Sequence, residues 1–340
     1  MLQLLGNSNL VFVIFGKIEE LNMQNPYDHL ESVYWVFTQL CNDECDHCYN
    51  NSGPQGERIS LEDCYKIINH LPPYMDRLIL SGGEPLADRK KLYAILDRIE
   101  EKYQGKVEIM LQTNGDLLNS DRLETLIEKG VTRFDIASID RYHKHAGSRL
   151  MELSSIFEAA GVDGQDSEPL VEKENYLKDK KLSWGYWGAS EDMWLGGNWA
   201  RGRALEKDNW KRDPTHNFCA ILSGARNFLG GYDDIPQEIS IQLWRINPCC
   251  PGTLFPMGDA REEYIPDVLM KASKHPVFQS LQNGEPWDMG KSAGISREEA
   301  KKKTEELENI CLYCDHFFRE HMQDWNTETF TPLPVVGTGS

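Results

Sequence analysis

Three cysteines fall within one short stretch, Cys41-x3-Cys45-x2-Cys48, followed directly by Tyr49. Thiolates at that spacing on a single loop can grip three irons of a cubane [4Fe–4S] cluster. The fourth iron is then open to a small molecule, which is the arrangement of a reactive cluster. Six more cysteines lie at Cys64, Cys219, Cys249, Cys250, Cys311 and Cys314. Their clustered C-x2-C spacings suit metal sites better than a secreted disulfide framework. Cys64 sits in a helical pattern and reads as a small packing residue.

The totals set bounds on partners. The chain has 340 residues, enough for one large domain or a domain with a smaller companion. Its formal net charge is −18, which argues against nucleic acid and against an acidic membrane surface. A neutral or cationic substrate fits that charge better. No run of about 18 apolar residues is present to span a membrane. The apolar patch Leu10–Phe15 lacks a positive flank and a cleavage site, so it reads as a packing segment of a cytoplasmic chain and not as a signal peptide. No Ser/His/Asp triad, P-loop or paired carboxylate set stands out.

The elements that must position the cysteines alternate. An apolar run over 32–40 reads as a buried strand leading straight into the cysteine loop. Ser60-Leu61-Glu62-Asp63 is a capping-type start for a helix to about His70. A strand over 76–81 ends at Gly82-Gly83-Glu84-Pro85. A helix over 88–103 puts Leu92, Ile95, Leu96 and Ile99 on one face. A strand over 107–112 ends at Thr113-Asn114-Gly115, a helix over 120–129 is stopped by Gly130, and a strand over 132–139 ends at Ser138-Ile139-Asp140. This βα alternation predicts a parallel sheet, and chemistry in such folds gathers at the carboxyl ends of the strands. Four candidate motifs share that rim. Residues 161–181 read as a loop, 182–187 as a fifth strand, and too little chain follows for a full barrel. The expected class is α/β: an incomplete, TIM-type parallel βα barrel with a small C-terminal cysteine-rich α+β extension. The expected divisions are an N-terminal segment 1–30, the partial barrel 31–210, the extension 211–325 and a tail 326–340.

Five of the nine tryptophans fall between Trp184 and Trp210, as packing or as a substrate wall. Residues 238–246 read as one strand running into a turn at Cys249-Cys250. Ser296 with Glu299 forms a capping box for a helix leading to Cys311. Tyr142-His143-Lys144-His145 follows the fourth strand, near the rim or on the surface.

With Cys41-x3-Cys45-x2-Cys48-Tyr49, Gly82-Gly83-Glu84-Pro85 and Gln112-Thr113-Asn114-Gly115 in order, residues 32–140 resemble the radical SAM superfamily. The resemblance implies that Cys41, Cys45 and Cys48 hold a [4Fe–4S] cluster whose open iron binds S-adenosyl-L-methionine. It implies S-adenosylmethionine contacts from Gly82, Gly83, Glu84 and Pro85, with Asn114, Ser138 and Asp140 as partners for ribose hydroxyls or the carboxylate. It also implies an electron donor such as flavodoxin or ferredoxin. The family's strand-five pattern is not cleanly present; Gly188-Ala189-Ser190-Glu191 is a remnant of it.

The second half resembles the C-terminal extensions called SPASM and twitch domains, with Gly202-Arg203-Ala204 ahead of Cys219. That resemblance implies one auxiliary [4Fe–4S] cluster on four of Cys219, Cys249, Cys250, Cys311 and Cys314. A structural zinc is the alternative. Adjacent residues of an extended chain point opposite ways, so only one of Cys249 and Cys250 is expected on the metal. The expectation is Cys250 as ligand and Cys249 as the spare thiol. As in the family's epimerases, that spare could give a hydrogen atom to a substrate radical. The implied function is hydrogen abstraction from a polar small molecule, sugar-like or cyclitol-like, leading to dehydrogenation or epimerisation. Modification of a ribosomal peptide and a non-catalytic iron–sulfur or zinc protein are the alternatives.

Overall fold

The computed structural model describes residues 25–138, 143, 149–164, 182–187 and 199–326. Its centre is strand β1 (His29–Val36), whose apolar residues Val33, Trp35 and Val36 are buried completely. β1 pairs in parallel with β2 (Tyr74–Ser81) on one side and with β7 (Glu238–Gln242) on the other. β3 (Glu108–Thr113), β4 (Val131–Ala137), β6 (Ser183–Trp187) and β5 (Asp163–Gly164) continue the parallel sheet beyond β2. The short strands β8 (Arg245–Asn247) and β9 (Gly258–Asp259) add antiparallel to β7. The sheet therefore has nine strands in the order β5-β6-β4-β3-β2-β1-β7-β8-β9 and does not close. The expected partial barrel is present.

Helices α1 (Leu61–His70), α2 (Arg89–Tyr103), α3 (Ser120–Glu128) and α4 (Leu150–Ala159) follow β1 to β4 and cover the sheet. Their starts follow local chemistry. The Ser60 hydroxyl accepts from the Asp63 amide at 3.0 Å and opens α1. Asn119 does the same for α3. The apolar face of α2 buries Leu92, Ile95, Leu96 and Ile99 against the sheet. Cys64 packs in that layer with no exposure.

The back half carries α5 (Gly202–Glu206), α6 (Ile265–Ala272), α7 (Pro276–Gln282), α8 (Arg297–Leu307) and α9 (Ile310–His321). The capping box of Ser296 and Glu299 is made on both sides. The single strand expected over 238–246 is broken at Leu243, which adopts φ 59°. β1 imposes the break: the Leu243 amide donates to Val36 O at 2.7 Å, and Trp35 Nε1 donates to Leu243 O at 2.9 Å. Among the described residues no helix is long and apolar enough to cross a membrane. The segment before residue 25, the tail after 326, Asp140, His145, Trp194 and the 188–191 remnant lie outside the described residues.

Candidate active site

The carboxyl ends of β1, β2 and β3 meet at one cleft, lined on one wall by Cys41, Cys45, Cys48, Gly82, Gly83 and Asn114. The cleft encloses about 990 Å³, open solvent included. The cysteine loop is held at its start by the Cys41 amide on Gly53 O at 2.9 Å. The glycine turn lies flush against it: the Gly83 amide reaches Thr38 O and the Glu84 amide reaches Leu40 O, each at 2.8 Å. A Cβ at residue 83 would stand 2.6 Å from Leu40 O, so only glycine permits this approach.

Glu84 does not face the cleft. Its carboxylate is fully buried and accepts from Thr113 Oγ1 at 2.7 Å, the Leu86 amide at 2.9 Å and the Asn114 amide at 2.8 Å. Burial lifts its pKa to about 7, against the pull of those donors. The carboxylate of Glu84 thus ties the β2 rim to the β3 rim, which leaves the backbone of this turn for the expected contact with S-adenosylmethionine. Pro85 is also buried and opens the 3-10 turn Pro85–Asp88. Ser138 is a second brace, its hydroxyl donating to Asn114 O at 2.6 Å. Asn114 itself borders the cleft and donates from Nδ2 to Asn42 Oδ1 at 3.0 Å. His143 reaches the same cleft and meets the His47 ring edge-on at 4.8 Å. Its rim location was one of the two positions open for it in sequence.

The adjacent pair sits in a turn rather than an extended chain, and Cys250, the expected ligand of the second set, is the one whose thiol lies at the cleft. The Cys250 amide donates to Ser223 O at 2.9 Å, and Gln242 Nε2 donates to Cys250 O at 2.9 Å. Pinned on both sides, Cys250 turns its thiol into the cleft, facing Cys41, Cys45 and Cys48. Its Sγ lies 3.3 Å from Tyr49 Oη. Cys249 points the other way and acts electrostatically on Cys219 and Cys314, while Cys311 acts on it. Cys311 and Cys314 stand one helical turn apart at the start of α9, capped by Asn309. Cys219 sits in a 3-10 turn held by Asn217. All nine cysteines are free thiols. Burial pushes Cys41 and Cys249 up to about 12 and Cys311 to about 11, and raises Cys45, Cys219, Cys250 and Cys314 as well. A metal bound at either set must therefore displace protons.

Below the cysteines the floor of the cleft is polar. Tyr34 Oη lies 2.8 Å from Ser81 Oγ and 2.7 Å from Gln112 Oε1, its single proton serving one of the two, and all three residues line the cleft. An even number of residues back along each strand, and so on the same face, two for Ser32 and four for Arg77 and Glu108, Ser32 meets Glu238 at 3.2 Å and Arg77 pairs with Glu108 at 2.7 Å. Desolvation raises Glu238 to about 7. The tryptophans divide: Trp184 stacks on Phe157 in the core at 4.6 Å, whereas Trp199 borders the cleft edge-on to Tyr49 at 4.9 Å.

One feature carried no sequence signal beyond the tripeptide. Arg203 Nη1 donates to Cys45 O at 2.9 Å and its Nη2 to Ser52 O at 2.7 Å. The Ala204 amide takes Cys48 O at 3.1 Å. Gly202, at φ 51°, passes so close that a Cβ would stand 2.4 Å from Tyr49 O. Arg201, the residue before it, reaches instead into the second cysteine set. It pairs with Asp315 at 2.6 Å and donates to Cys311 O and Gly252 O at 3.3 Å.

Residues 35–142 match the family described as the radical SAM superfamily. That stretch is a radical SAM segment. The family implies a [4Fe–4S] cluster and S-adenosylmethionine, and the three thiols on one wall of an open cleft suit a cluster with a vacant coordination position. A search of curated proteins found no match. Among solved structures, the chain is similar to BtrN in complex with AdoMet and 2-DOIA, at TM-score 0.48 and 16% identity, over 79% of this chain and 92% of that one. It is similar to anSMEcpe with bound AdoMet, at TM-score 0.44 and 13% identity, over 88% and 100% of the two chains. It is also similar to SuiB of Streptococcus suis, at TM-score 0.41 and 13% identity, over 75% and 68%. At these scores none of the three bears on what this chain does.

Proposed function

We propose that the protein is a radical S-adenosylmethionine enzyme that acts on a polar small molecule and returns a hydrogen atom from Cys250, so that the net change is epimerisation. The observation that carries this reading is the Cys250 thiol inside the cleft of Cys41, Cys45 and Cys48, 3.3 Å from Tyr49 Oη. When bound there, the cluster and S-adenosylmethionine supply a 5′-deoxyadenosyl radical that removes a substrate hydrogen. Burial holds the Cys250 sulfur protonated, which a hydrogen-atom donor needs. The S–H bond breaks homolytically, the hydrogen joins the substrate carbon, and a sulfur radical remains. That radical takes up one electron, supplied by an external flavodoxin- or ferredoxin-type donor, and one proton from solvent to restore the thiol. Tyr34, Ser81 and Gln112 offer hydroxyl and amide groups for a hydroxylated substrate. Gly82, Gly83 and Asn114 remain the residues proposed to meet S-adenosylmethionine.

The second set is proposed as Cys219, Cys249, Cys311 and Cys314, holding one auxiliary [4Fe–4S] cluster. Among the described residues the donor atoms drawn within 4.8 Å of one another are those of Cys45, His47 and His143, not the second set. Four sulfurs on a single zinc would stand about 3.8 Å apart, from a Zn–S bond of about 2.3 Å. Iron and zinc content decides between that geometry and a cluster. The same four thiols favour a second reading, dehydrogenation, because oxidising the substrate radical requires an electron acceptor.

One experiment separates these readings. Anaerobic enzyme with reductant and S-adenosylmethionine, incubated in D2O with a panel of cyclitols and amino sugars, is assayed for 5′-deoxyadenosine and for products. Epimerisation predicts one solvent deuterium in the product and its loss in Cys250→Ala, with 5′-deoxyadenosine still formed. An oxidised product without deuterium, unchanged in Cys250→Ala, would replace it with dehydrogenation. A peptide substrate would leave the whole panel unconverted.

A further inference from the structure

The segment 201–204 lies between the two cysteine sets and sends one arginine to each. Arg203 and the Ala204 amide hold carbonyls of the first loop. Arg201 is directed at the second set and is 12% exposed as a side chain, with its partner Asp315 at 19%. A cation that far out of water persists only with partners, and the partners here are one carboxylate and two carbonyls. One of those carbonyls belongs to Cys311 itself, and another, Gly252 O, to the turn that carries Cys249.

The ion pair is neutral as a whole, so its effect depends on which end faces the thiols. Arg201 is the member of the pair that bonds the set's own backbone, at Cys311 O and at Gly252 O in the turn that carries Cys249, while Asp315 follows Cys314 in the chain. The positive end is therefore the one directed at the set. Charge and hydrogen bonding around the sulfurs are main determinants of a cluster's potential. A cation held at fixed distance favours the more negative, reduced state.

We propose that Arg201 is the positioning cation of the second cysteine set, oriented by Asp315 so that it raises the reduction potential of the cluster bound there. This rests on the reading that Cys219, Cys249, Cys311 and Cys314 hold a [4Fe–4S] cluster. The raised potential makes the second centre the better electron acceptor; among the described residues the arginine nearest the first loop, Arg203, bonds its backbone oxygens without a carboxylate partner in that contact.

The test is an anaerobic redox titration followed by electron paramagnetic resonance on reconstituted full-length protein, with iron and zinc counted in each sample. Arg201→Met should lower the potential of the second cluster by at least tenfold in its reduction equilibrium, about 60 mV for one electron. Arg201→Lys, which keeps the charge, should recover more than half of that drop. The double variant Arg201→Met with Asp315→Asn, which leaves no buried charge, should load iron and fall between wild type and Arg201→Met. An unchanged potential in iron-loaded Arg201→Met overturns the proposal. If Arg201→Met fails to load, a double variant that titrates at the wild-type potential overturns it. Wild-type protein with one reducible cluster, or with zinc in the second set, instead overturns the two-cluster reading on which the proposal depends.

Discussion

Glu84→Ala tests whether the rim is held by its own internal bracing. The carboxylate accepts three donors, the Leu86 and Asn114 amides and the Thr113 hydroxyl, in a fully buried position. Removing it leaves three buried donors without an acceptor, each costing about 1–3 kcal/mol. Partial collapse and water entry offset some of this, so we expect a loss of about 3–5 kcal/mol, a large part of the roughly 5–15 kcal/mol that stabilises a typical domain. Glu84→Gln keeps one acceptor oxygen for Leu86 and Thr113 but sets an amide NH2 against the Asn114 amide, for a loss of about 2 kcal/mol. Urea unfolding of metal-free protein, followed by circular dichroism, measures both without interference from cluster loss. Unaltered stability in Glu84→Ala, together with lost S-adenosylmethionine binding, would refute the bracing role and restore Glu84 as a ligand contact.

Two further outcomes follow from the same geometry. Glu238 and Glu84 both titrate near pH 7 in the fold because burial disfavours the charge. Between the ordinary carboxylate pKa and about 7 the folded chain holds a proton that the unfolded chain has lost, so stability falls as pH rises through that window. The slope is at most about 1.4 kcal/mol per pH unit per group; Glu238→Gln should flatten it in unfolding curves taken from pH 4.5 to 7.5, and an unchanged slope would contradict the assignment. Gly202→Ala forces a side chain onto a backbone with φ 51° and into contact with Tyr49 O. We expect a strain of about 1–3 kcal/mol and a loss of iron at the first set greater than at the second, read by iron analysis and electron paramagnetic resonance.

The barrel was readable because its signals are local. Period, caps and turn residues mark β1 to β4 and α1 to α3 to within a few residues. The break at Leu243 was not readable, because it is imposed by Val36 O and Trp35, some 200 positions earlier in the chain. The parallel pairing of β7 with β1 is hidden for the same reason. At the site, the three-cysteine loop and the glycine turn announce themselves by spacing. Glu84 carries a motif's name but is consumed by backbone amides, which no spacing reveals. Cys249 and Cys250 lie in a turn past the end of β8, where strand alternation does not apply; which of them faces the cleft depends on Ser223 O and Gln242, contacts set by tertiary structure. Arg201 and Asp315 are ordinary charges in the sequence and become a buried pair only when α9 closes over the second cysteine set.

The central claim is that two cysteine sets each hold a cluster while Cys250 belongs to neither. Iron and sulfide content with Mössbauer spectra, taken on anaerobically reconstituted wild type, Cys249→Ala and Cys250→Ala, tests it most directly. The account predicts about eight irons per chain, two cubanes, in wild type and in Cys250→Ala, and about four in Cys249→Ala. Loss of a cluster in Cys250→Ala with retention in Cys249→Ala would contradict it.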